Sequence, residues 1–182
     1  LGAEEMYDPA NPRPGQRPAQ ADAFMLGFYI WNNVRIGFQT FAGGLLFGAG
    51  SVFFLVANGT LIGATAGHLI HIGFATPFFR FVSGHSALEL TGIVLMGGAG
   101  LMLAGALLNP GRLTRVAALR SRARAAVPLV YGGGTLLVLA AFVEAFWSPL
   151  GLVPPPVKYA VGAVLWLLLI AYFVLAGRTH AD

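Results

Sequence analysis

Histidine and two glutamates stand in otherwise apolar surroundings. His85 and Glu89 are four residues apart and so share one face of a helix, within about 8 Å of its end at 1.5 Å per residue. Glu144 lies at a similar distance from the end of another apolar run. Moving such a group into hydrocarbon costs about 2.5–3.5 kcal/mol, so each should face protein or water. One imidazole and two carboxylates have three possible uses. They can pin helix register as a network, with a glutamate protonated or paired to Arg35, Arg80 or His85. They can bind a divalent metal, which with an open position would support metal-assisted hydrolysis. They can also line a pocket for a ligand or partner, with Asn32, Asn33 and Arg35 entering from the same side. No HExxH-type spacing selects among the three, and the reading carries no assigned catalytic residue, metal or cofactor.

The elements that must position these residues are membrane helices. The 182-residue chain is 57% hydrophobic and 10% charged, far from the balance of a soluble domain. Each span needs roughly 20 apolar residues, so one bundle uses nearly the whole chain. The absence of cysteine removes disulfides, thiolate metal sites and cysteine nucleophiles. The expected fold is an all-α polytopic bundle of about five apolar helices, with an N-terminal interfacial helix.

Residues 1–23 are polar and Pro-rich, and are read as an extended extracytoplasmic segment without a signal peptide. The aromatic, amphipathic stretch 24–35 reads as an interfacial helix. Spans are expected at about 36–57, 60–79, 84–108, 126–147 and 158–177, within a bundle covering 24–178. Asn58-Gly59 is read as the turn between the first two. The second run, with His68, His71, glycines and Pro77, could be broken or re-entrant. His68 and His71 read as packing residues. Asn109-Pro110-Gly111 stops the third helix, and Pro154-Pro155-Pro156 stiffens the last loop.

Arg112, Arg115, Arg120, Arg122 and Arg124 cluster between the third and fourth spans without interleaved aromatics. Such a cluster is a topology signal and not a nucleic-acid patch: it forms a cytoplasmic basic loop. The C-terminus then falls inside and the N-terminal segment outside. Residues 1–35, with four acids against three arginines, suit that side. An external N-terminus and a start at Leu1 together lead to the expectation of a further span upstream. Gly44 and Gly48, like Gly63 and Gly67, are four apart and read as close helix packing within the chain, with dimerisation the lesser alternative.

The ordered segments FYIWNNVRIGF, GAGSVFFLVANGTLIGATAG, FVSGHSALEL, GGAGLMLAGALLNPGRLTRVAAL and FVEAFWSPL resemble the stage II sporulation protein M family, from about Phe28 to Pro149. Ser51 and Ser86 depart from the Thr and Gly expected there. The resemblance implies a bacterial or archaeal cytoplasmic-membrane protein without established catalysis. In sporulating members it implies an anchor and scaffold for peptidoglycan-degrading enzymes. The positions matching it include Asn32, Asn33, Asn58, His85, Glu89, Pro110, Arg112, Arg115 and Glu144, with no proven chemical role. The resulting expectation is a non-enzymatic scaffold or accessory subunit whose partners are the lipid bilayer and other membrane or extracytoplasmic proteins, with homo-oligomers left open. The alternatives are a transporter or channel component, which needs a water path from Glu89 or Glu144 toward Asn58, and an intramembrane metal-dependent hydrolase using His85, Glu89 and Glu144.

Overall fold

A computed structural model describes residues 19–176 of the chain, all helices and connections. Among these residues there is no strand, and six α-helices follow in order: α1 (Ala19–Ala42), α2 (Ala49–His71), α3 (Ala75–Val82), α4 (Ser86–Leu108), α5 (Arg115–Phe142) and α6 (Pro155–Leu175). A 3-10 turn, Gly43–Leu45, follows α1, and a π-turn, Val143–Trp147, extends α5. Four stretches are long and apolar enough to cross a membrane: Ala49–His71, Ser86–Leu108, Arg115–Trp147 and Pro155–Leu175. The chain is a multi-pass membrane helix bundle.

Antiparallel α4 and α5 form the centre. Gly92 and Gly133 let their backbones approach, since a Cβ on either would press on the other's carbonyl. Helix α1 fills the groove between them. Its residues Tyr29, Asn33, Gly37 and Thr40 are buried at spacings of four, four and three, one continuous helical stripe. Gly37 meets Met96 and Leu137, which with Ile93 make one core cluster; Tyr29 joins Phe81, Ala141 and Ala145 in another. The opposite stripe of α1, with Phe24, Phe28, Trp31, Arg35 and Phe38, faces outward.

The expected division into an interfacial helix at 24–35 and a span at 36–57 is replaced by one helix, α1, continuous through both. No breaker occurs between Phe24 and Ala42, Thr40 donates to the Ile36 carbonyl of its own helix, and the buried Asn33 amide is answered by Glu144. The chain reverses at residues 43–48 instead of at Asn58-Gly59. Gly48 takes a φ of 87°, which glycine adopts without strain, and Phe47 a φ of 54°, a left-handed conformation that costs a bulky residue about 1–2 kcal/mol. A Cβ on Gly44 would land on the Gly100 backbone, and Gly43 sits against Gly50 in the same way. Gly48 at the tip lies beside Leu101 and Ala104, about 6 Å short of the end of α4 at 1.5 Å per residue. Asn58 is in mid-helix, where its side chain donates to the Phe54 carbonyl at 2.7 Å. The expected second span, 60–79, is therefore the second half of α2 followed by a bend at residues 72–74 and the amphipathic α3.

Helix α4 ends at Leu108, with Gly111 at a φ of 63° in the loop. Helix α5 begins at Arg115, eleven residues before the expected start, with Thr114 accepting from the Ala117 amide as its N-cap. Of the expected basic loop only Arg112 is in a loop; Arg115, Arg120, Arg122 and Arg124 are on the exposed first turns of α5. A run of good helix formers behind a capping threonine extends the helix beyond its apolar part. Residues 43–48 and 109–114 thus share the arginine end of the bundle, and residues 72–85 and 148–154 the opposite end. Most of the expected extended segment 1–23 and the last two residues of the expected bundle, 177–178, lie outside the described residues; residues 19–23 open α1.

Candidate functional site

At the end opposite the arginines, the corner between α3 and α4 is fixed by close contacts. A Cβ on Gly84 would strike the Trp147 ring, and one on Gly162 would strike the Ser83 backbone. The corner therefore sits between the π-turn and α6. His85, the N-cap of α4, is 3% exposed and packs its ring edge-on to Phe81, with centroids 5.4 Å apart. Its Nδ1 lies 2.9 Å from the Ser148 hydroxyl, and its Nε2 lies 3.8 Å from a Glu89 carboxylate oxygen, one turn along α4.

Glu144 completes the group from the π-turn. A π-turn carries an extra residue relative to an α-turn, which re-aims the side chains at its start. One ligand atom from each of His85, Glu89 and Glu144 lies within 4.8 Å of the others. Asn33, 1% exposed on α1, donates through Nδ2 to Glu144 Oε2 at 3.5 Å and accepts from Asn32 Nδ2 at 3.3 Å. Five of the six residues expected to converge here do so. The sixth, Arg35, does not: it is exposed, with its guanidinium 4.4 Å above the Trp31 ring, in a shallow outer groove. Asn33 and Arg35 are two apart, which on a helix means nearly opposite faces.

At this end of the bundle Arg80 and Lys158 are both held on backbone carbonyls. Arg80 donates from Nη2 to the Leu150 carbonyl at 3.1 Å and to that of Gly151. Lys158, 1% exposed on α6, donates to the carbonyls of Trp147 and Ser148 and stacks 5.3 Å over the Trp147 ring. It caps the C-terminal end of the π-turn, where carbonyls lack helical partners. Sequence reasoning missed Lys158 and Ser148. The available signal was that Lys158 is the single lysine of the chain and opens an apolar run.

The family sequence model described as stage II sporulation protein M matches residues 3–149. The chain belongs to that family. The match runs from before α1 through the π-turn, so every member of the His85 cluster falls within the stage II sporulation protein M region, whereas α6 and Lys158 lie beyond it. No curated protein and no solved structure matches the chain significantly.

The remaining expected sites divide. Gly44 and Gly48 pack within the chain as described. Gly63 and Gly67 do not: a Cβ on either would meet nothing within 4 Å, because the outer face of α2 has no neighbour there. His68 and His71 are exposed in the last turn of α2 and are not buried packing residues. Below the cluster the bundle is closed. Met96, Leu137, Ala99, Ala140 and Ala141 have no exposure, and Asn58 lies on α2 with its amide turned back on its own helix.

Proposed function

We propose that this member of the stage II sporulation protein M family is a non-enzymatic membrane scaffold that recruits partner proteins through α2. The observation that supports it is a ridge of Gly59, Gly63 and Gly67, four apart on one face of α2, where an added Cβ meets nothing within 4 Å. Glycine in an exposed helix position costs about 1 kcal/mol relative to alanine. Three at helical spacing are useful where another backbone approaches closely, as in small-xxx-small pairing of membrane helices. The buried glycines of this bundle show that use: Gly44 on Gly100, Gly92 on Gly133 and Gly162 on Ser83. On α2 the complementary helix belongs to another protein. In this reading the chain resides in the cytoplasmic membrane of a bacterium or archaeon. The arginine end faces the cytoplasm by the positive-inside rule, and the His85 cluster faces outward. Cell-wall remodelling enzymes are the partner class that the family suggests.

The chain has no cysteine, so Gly63→Cys supplies a unique thiol. Cross-linking in native membranes should give an adduct with a second protein, and Gly63→Leu should abolish co-purification without unfolding the bundle. Recovery of the chain alone from native membranes, or of self-adducts only, counts against the scaffold reading.

A further inference from the structure

We propose that His85, Glu89 and Glu144 bind one divalent first-row metal ion, of the zinc or manganese kind, that clips α4 to the π-turn at the end of the bundle opposite the arginines.

The distances carry the argument. Two donors each about 2.1 Å from a shared ion can stand up to about 4.2 Å apart. His85 Nε2 and Glu89 Oε2 are 3.8 Å apart, too far for a hydrogen bond and within the reach of one ion. All three ligand atoms lie within 4.8 Å, so small rotations of two glutamate side chains close the set. His85 Nδ1 lies 2.9 Å from Ser148 Oγ, and in the tautomer whose Nδ1 donates to that hydroxyl, Nε2, on the Glu89 side, keeps its lone pair for an ion, as in metal-ligating histidines. Asn33 supports Glu144 in the same outer role.

The setting also fits. His85 and Asn33 are almost wholly buried, while the Glu89 side chain keeps 20% of its exposure, so the group is largely desolvated and still open at one edge. Glu89 is one turn from the start of α4, which places that edge at the aqueous end of the bundle. Mixed imidazole and carboxylate donors with no thiolate favour a borderline or hard ion over a soft one.

The test uses the full chain in detergent, stripped with chelator and re-equilibrated with Zn2+ or Mn2+ alone. One ion per chain by elemental analysis is the expected result. Mn2+ bound to the unaltered protein should show hyperfine coupling to one imidazole nitrogen. Glu89→Gln and Glu144→Gln should each lose the ion, and Ser148→Ala should weaken binding roughly tenfold to a hundredfold. Failure to retain either ion overturns the proposal and leaves a proton-held network. So does stoichiometric Mn2+ without nitrogen coupling, a measurement that does not depend on any variant folding.

Discussion

The Ser51 hydroxyl donates to the Thr40 carbonyl at 2.6 Å, joining the first turn of α2 to the last turn of α1 across the 43–48 reversal. Both residues are fully buried. The last four carbonyls of any helix lack intrahelical partners, and here one is answered from the next helix. That bond, with the Gly43–Gly50 and Gly44–Gly100 contacts, makes a sharp reversal tolerable inside the bundle.

Replacing Ser51 by Ala should cost about 1–3 kcal/mol, since it leaves a buried carbonyl without its donor. Reversible unfolding in mixed micelles measures this. A change indistinguishable from zero would mean that the carbonyl finds another donor and that the bond does not hold the hairpin.

Glycine substitutions should separate into two classes. Gly44→Ala and Gly100→Ala drive a methyl group into backbone and should each destabilise by about 1–3 kcal/mol or more. Gly63→Ala meets open space and should stabilise the isolated chain by up to about 1 kcal/mol. Equal effects in the same unfolding assay would refute the packing described for the hairpin.

Asn33 and Arg35 should behave differently although they are two residues apart. Asn33→Ala removes a buried donor to Glu144 and should cost about 1–3 kcal/mol. Arg35→Ala changes an exposed contact with Trp31 and should stay within about 0.5 kcal/mol of the unaltered protein. A larger loss from Arg35→Ala would place the guanidinium in the cluster after all.

Lys158→Met keeps the length of the side chain and removes the charged donor from the Trp147 and Ser148 carbonyls. A loss of about 1.5–3 kcal/mol is expected for a hydrogen bond from a charged group. Backbone amides of residues 143–148 should exchange faster with solvent, while those near Met96 keep their protection. Uniformly faster exchange would show that Lys158 supports the whole bundle and not the π-turn.

The membrane class and the His85–Glu89–Glu144 convergence were legible in the sequence, because apolar content and i,i+4 spacing are local properties. The reversal between the first two long helices was not. Asn58-Gly59 has the composition of a turn, yet the asparagine satisfies itself on the preceding helical turn, and the actual reversal uses glycines whose role is contact with Gly50 and Gly100. Those contacts are tertiary and leave no local signature. The aromatic, amphipathic character of residues 24–35 suits a membrane interface and so splits α1 in the sequence reading, whereas Asn33 is buried on a partner 111 residues away. The π-turn, Ser148 and Lys158 were hidden for the same reason.

Helix α1 also constrains how the protein is made. With Asn32, Asn33, Arg35 and Gln39 it is less apolar than the other four long helices, and its buried amide, Asn33, meets Glu144 only once the π-turn beyond α5 is in place. It leaves the ribosome before them. The earliest of the described helices to be synthesised therefore carries a buried amide whose partner follows 111 residues later.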